Sequence, residues 1–266
     1  MTITSERTAA EPVAPLPPSE PDVRHGARSV ISLFFTPVLL VVIVTALYVY
    51  VHSRTLDSIE RRSLNRTFLV ERTLQHVQLT VVSTILVILI AIPLGILLTR
   101  PSMRRATPFA LAVVNVGQAV PSIGVLVLLG ITLGFGFKYA IIALVLYSFL
   151  PVLRNTMTGL QRVDRSLIDA ARGMGMTKDL VLRRVELPLA VPVMMAGIRT
   201  ALVINVGTAT LATFTNAHGL GDVIDAGLKL DRRPVLITGA VLVAVLALTI
   251  DWVAGLAERA LRPRGL

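Results

Sequence analysis

Residues 169 to 188, DAARGMGMTKDLVLRRVELP, form a polar interruption between two long apolar runs, and their reading decides the fold. Asp164 or Ser166 can cap a helix start just before them, and Ser166 with Asp169 three residues later has the spacing of a capping box. Leu167, Ala170, Ala171 and Met174 then share one face. Gly173 and Gly175 end that helix. Thr177 offers a second cap, and Leu180, Val181, Arg184 and Val185 begin another helix, which Pro188 admits to the next apolar run. The expectation is two short helices at an angle. Small residues on one face matter where another backbone approaches closely. From spacing alone two destinations stay open: the chain's own apolar segments, or a groove on a separate protein.

The surroundings of this stretch are those of a membrane protein. Of 266 residues, 54% are hydrophobic and 16% charged, outside the range of soluble domains. Several runs approach the roughly 20 residues that cross a bilayer as helix. Spans are expected over 31–51, 77–98, 109–137, 139–153, 192–214 and 235–257, the fifth apolar except for Arg199. Residues 1–30, with EPVAPLPPSEP, are too rich in proline and charge to bury a core and read as a disordered tail. They also push the first apolar run too far inward for an ordinary signal peptide, so that span is expected to be retained. The absence of cysteine excludes disulfides, thiolate metal sites and cysteine nucleophiles. A net charge of +10 would point to nucleic acid in a soluble protein, but in a membrane protein basic residues set topology.

Six spans place both termini on one side. The loops on that side carry 16 lysines and arginines, those on the other side 9. The positive-inside rule therefore puts the termini and the central loop in the cytoplasm. Against it stand five arginines within 52–76, HSRTLDSIERRSLNRTFLVERTLQH. There Leu56, Ile59, Leu64, Phe68 and Leu69 recur at roughly helical spacing, so an amphipathic connector along the outer interface is expected.

Other functions are poorly served by these residues. An ion-coupled transporter needs ionisable groups near the midplane, yet spans 77–98, 109–137 and 139–153 hold no carboxylate or histidine. Arg199 reads as a snorkelling or structurally paired residue. An enzyme finds no HExxH, GxSxG or Walker A pattern, and His25, His52, His76 and His218 are scattered singly. Neither a cofactor nor a metal is expected. Pro93, Gly95, Gly117, Pro121 and Pro151 interrupt spans, for packing or for gating. Under the gating reading, breaks at 118–122 and 150–155 line a solute route, with Gln118, Pro121, Ser122, Asn155 and Asn205 facing it.

Asp169-Ala170-Ala171, three residues, Gly175, nine residues, Val185, one residue, then Leu187-Pro188 resembles the EAA signature of ABC-importer permeases, in which glutamate and isoleucine stand where this chain has Asp169 and Val185. NVGQAVPSIGVLVLLG, YSFLPVLRNTMTGLQRVD, GMGMTKDLVLRRVELPLAVPVMMAGIRTALV and GLGDVIDAGL extend the resemblance from about 74 to 256, toward the glycine betaine, choline and osmoprotectant branch. At 216–221 the chain reads NAHGLG where the family usually has Gly-Ala-Gly-Gly-Leu-Gly, a departure that leaves the local backbone geometry open and the resemblance intact. The resemblance implies an all-α membrane protein: a MetI-like five-helix permease core over 77–257 plus one N-terminal span, with cytoplasmic tails at 1–30 and 258–266. It implies that 161–188 is the coupling loop, seated through Asp169, Ala170, Ala171, Gly175, Val185, Leu187 and Pro188 in a cytoplasmic ATPase. It further implies two ATPase subunits, a second permease and an extracytoplasmic solute-binding protein. The solute would be betaine, choline, carnitine or a relative, or else another small solute such as an amino acid.

Overall fold

A computed structural model of the chain describes residues 24–103 and 105–261, with side chains from Phe34, and among these residues every regular element is helical. The chain divides into two units, Met1–Phe35 and Thr36–Leu266. The first is described only as helix over 24–35; all packing below belongs to the second. The tail expected at 1–30 lies outside the described residues up to 23. Helix α1, Arg24–His52, begins before the expected span, since the last tail proline is Pro21. The end of the C-terminal tail, 262–266, is likewise outside the described residues.

Helix α2, Ser58–Ser63, starts at a capping box. Asp57 Oδ1 accepts from the Ile59 and Glu60 amides at 2.9 and 2.8 Å, and Glu60 Oε2 accepts from the Asp57 amide at 3.0 Å. Asn65 then caps α3, Arg66–Leu98. The expected connector over 52–76 is thus shorter: its second half forms the first turns of α3, because no breaker follows Asn65 until Pro93. Pro93 itself sits within continuous helix.

The apolar run expected as one span over 109–137 is two helices, α4 (Thr107–Ala119) and α5 (Ser122–Leu133), bent by 92°. Pro121 forces the break, since the residue before proline avoids the helical region, and Val120 sits at ψ 132°. Helix α6, Phe137–Gln161, is longer than expected, and the break expected at 150–155 is absent: Pro151 lies inside it. Helix α7, Arg165–Gly173, is followed by α8, Lys178–Val181, a π turn over Leu182–Glu186 and α9, Leu187–Ala209. The second of the two expected short helices therefore runs on into the span. A 3-10 stretch, Thr210–Thr215, precedes α10 (Leu220–Lys229) and α11 (Arg233–Leu261). Among the described residues, five helices are long and apolar enough to cross a membrane, with six crossings if α4 and α5 count as one.

Helix α6 is the centre, packed along α3 and α9. Small residues set these approaches, as in other membrane bundles. A Cβ on Gly95 would lie 2.8 Å from Thr156 Cγ2, and one on Gly197 2.6 Å from Asn155 Cβ. Leu79, Val87, Leu144, Val152 and Leu153 are fully buried between them. Residues 36–52 of α1, by contrast, include no buried position.

Ion pairs and hydrogen bonds gather the loops into two ends. At one, Asp57 meets Arg232 (2.9 Å), Arg72 meets Asp222 (3.2 Å), and the Gly136 amide donates to Thr215 O (2.7 Å). At the other, Thr107 Oγ1 donates to Leu98 O (2.8 Å) and Arg100 pairs with Glu186 (2.8 Å). The bent pair α4–α5 thus joins opposite ends of the bundle, which is what one crossing requires.

Candidate functional site

The loop between α6 and α9 is a projecting hairpin. Its cap is Asp164, whose carboxylate accepts the Ser166 amide at 2.9 Å; the capping box read from Ser166 and Asp169 does not form. That amide holds the Asp164 carboxyl below the usual carboxylate range. A depressed pKa makes the cap complete above the ordinary value and lost only as pH falls through the lowered one. Helix α7 ends at Gly173, and Gly175 has φ +85°, the left-handed region that reverses the chain with little strain only at glycine. Thr177 caps α8 by accepting the Leu180 amide at 3.4 Å.

Ala171 is buried, whereas Asp169, Ala170 and Gly175 are exposed, and Leu167 and Met174 are 48% and 73% exposed. Val185, Leu187 and Pro188 are half-buried at the base of α9. The hairpin therefore brings the expected coupling residues into one segment but splits them: an exposed head, Asp169 to Gly175, and a packed root, Val185 to Pro188. Of the two destinations open to the apolar stripe, Ala171 takes the chain itself, while among the described residues Leu167 and Met174 stay exposed.

The five residues expected along a solute route are not one row. Asn205 is fully buried, its Nδ2 donating to Thr84 Oγ1 at 2.9 Å, so in this structure it ties α9 to α3 and faces no open path. Asn155 donates to Pro151 O at 2.9 Å within α6. Pro121 is exposed and Ser122 half-buried at the α4–α5 bend. Gln118 has a specific task. Pro151 has no N–H, so the carbonyl four residues back, Tyr147 O, lacks its helical donor. The Gln118 side-chain amide donates to it, and Tyr147 hydroxyl donates in return to Val120 O at 3.2 Å. Bend and helix are fastened where each has lost a backbone partner. Tyr147 was missed in the sequence; counting four residues back from Pro151 would have found it.

Arg199, expected to pair structurally, does so: Nε and Nη2 donate to both oxygens of Asp251 at 3.0 and 2.9 Å, and Nη1 to Glu258 at 3.1 Å. These groups join α9 to α11 beside an open cavity of about 400 Å³ lined by Ala196, Thr200, Val203 and Ile204. At the other end His76, fully buried, donates from Nε2 to Val206 O at 3.0 Å and accepts the Leu220 amide on Nδ1 at 3.3 Å, partners that assign the neutral tautomer. Asp222 accepts from Thr213 Oγ1 and pairs with Arg72 and His218. Within 216–221, Asn216 and His218 adopt the left-handed region, with φ values of 58° and 56°. Asn and His tolerate that region better than most side chains.

Comparison with known proteins bears on the same residues. The family described as "Binding-protein-dependent transport system inner membrane component" matches residues 91–263. A choline transport system permease protein of Bacillus subtilis is 44% identical over 198 residues, 74% of this chain and 90% of that protein. A glycine betaine/carnitine/choline permease of the same organism is 42% identical over the same shares. An osmoprotectant import permease of Salmonella typhimurium is 41% identical over 223 residues, 84% and 93%. Among solved structures, an inward-facing MetNI methionine ABC transporter superposes with TM-score 0.64 at 26% identity, over 73% of this chain and 96% of that one. The fold of an amino acid ABC transporter also matches, TM-score 0.63 at 20% identity, covering 78% and 100%.

Proposed function

This chain belongs to the binding-protein-dependent transport system inner membrane components, and from that premise we propose that it is the permease of an ATP-driven importer for osmoprotectants of the choline, glycine betaine and carnitine class. The observation that carries the coupling part is the α7 hairpin: a capped helix turned by Gly175, on which Leu167, Ala170 and Met174 are exposed among the described residues. A cytoplasmic ATPase takes that face. Two ATPase subunits and two permeases, the second a copy or a relative, form the complex, with both termini cytoplasmic and an extracytoplasmic binding protein delivering the solute. When the ATPases close on ATP, the hairpins are carried with them and the spans turn from inward- to outward-facing.

The substrate class is supported by three relatives at 41–44% identity whose names share it. The sparse charge of the spans suits a zwitterion or a delocalised cation better than an anion that needs fixed positive partners. Reconstitution with its ATPase and binding protein tests both parts. Vesicles loaded with ATP, with the binding protein outside, are expected to accumulate labelled choline, betaine or carnitine. Uptake of an amino acid such as methionine, with none of these three, leaves an importer and removes the osmoprotectant reading.

A further inference from the structure

The hairpin joins α9 through its root, and that root is not ordinary helix. The Leu187 amide donates to Leu182 O, five residues back, where an α-helix would use four. The wide turn lies just ahead of Pro188, which has no amide to give to Arg184 O. A single π turn inside a long helix marks a place where the helix can change pitch. Glu186, its last residue, is 7% exposed, although a carboxylate loses hydration there. Its oxygens are held by Arg100 at 2.8 and 3.5 Å, and Arg100 stands two residues beyond the end of α3.

A two-pronged ion pair at this point costs desolvation and is poor evidence of stability for its own sake. What it does mechanically is bind α3 to the hinge. Helix α9 follows the hinge through its backbone, but α3 is more than 80 residues away in sequence. We propose that Arg100 and Glu186 are positioning residues for transport, the contact through which displacement of the α7 hairpin is passed to α3, so that α3 and α9 turn together. This rests on the importer reading.

The experiment uses the whole complex in vesicles and measures solute moved per ATP hydrolysed. Glu186→Gln and Arg100→Gln are each expected to keep ATPase in the complex and ATP hydrolysis running, while solute per ATP falls at least about fivefold, the lower range of coupling energies. The exchange Arg100→Glu with Glu186→Arg is expected to recover most of the ratio. If Glu186→Gln fails to assemble, Arg100→Lys, which keeps charge but not the fork, carries the same measurement. An unchanged ratio, a parallel loss of transport and hydrolysis, or a charge exchange no better than the single variants overturns the proposal. Wild-type chain that retains no ATPase removes the importer reading, and this one with it.

Discussion

Gly175 shows how one residue type can be demanded twice. Its φ of +85° requires a glycine-like backbone, while no atom lies within 4 Å of where a Cβ would stand. Gly175→Ala therefore meets backbone strain, on the order of 1 kcal/mol, and no collision. Gly175→Trp adds a bulky ring on the exposed side of the hairpin. ATPase retention on purification is expected to fall slightly for alanine and severely for tryptophan, with membrane insertion normal for both. Equal losses would locate the defect in the turn and not in a docking face. Gly197 is the opposite case: a Cβ would lie 2.6 Å from Asn155 Cβ and 2.8 Å from Pro151 O. Gly197→Ala is expected to cost about 1–3 kcal/mol by overpacking, read as a lowered unfolding temperature in detergent.

Helices α4 and α6 meet at a fault in each, and the hydrogen bond from the Gln118 side chain to Tyr147 O can be measured as a coupling. Gln118→Leu leaves Tyr147 O without a donor and is expected to destabilise by about 1–3 kcal/mol. In a Pro151→Ala background residue 151 supplies the missing amide, so the same change is expected to cost less than half as much. Equal costs in both backgrounds would mean that Gln118 is not compensating for the proline. The case also marks what the sequence reveals. Long apolar runs, caps at Asp164 and Thr177 and the spacing from Asp169 to Pro188 are local, and all are legible. The 92° bend follows from Pro121 only once Val120 is seen to be extended. The partners of Asn205, Arg100 and His76 lie 86 or more residues away, so neither period nor spacing announces them. Asn205 accordingly reads as lining a route, whereas its side-chain N–H donates to Thr84 and its side-chain oxygen is buried without a partner among the described residues.

The orientation of the whole chain turns on nine basic residues that a simple count places on the less favourable side. Arg72 pairs with Asp222 and stacks over Phe68 at 4.9 Å, Arg232 pairs with Asp57, and Lys229 with Asp225. Arg72 and Arg232 hold α2, α3 and the α10 turn together, and Lys229 pairs within α10, structural uses that explain their presence without reversing the bias of the sixteen on the other side. Acidic partners do little to offset the topogenic effect of a lysine or arginine. The inside-positive orientation proposed for this chain therefore rests on number, with the pairs as its tolerated exceptions. A reporter active only outside the cytoplasm, inserted after Asp231, is expected to be active, and the same reporter fused at the C-terminus silent. Asp57→Asn with Asp222→Asn is expected to loosen the outer end, lowering the unfolding temperature, while leaving both reporter results unchanged. A reversal of the reporters in that variant would make the acidic partners, and not the count of basic residues, the determinant of how this chain sits in its membrane.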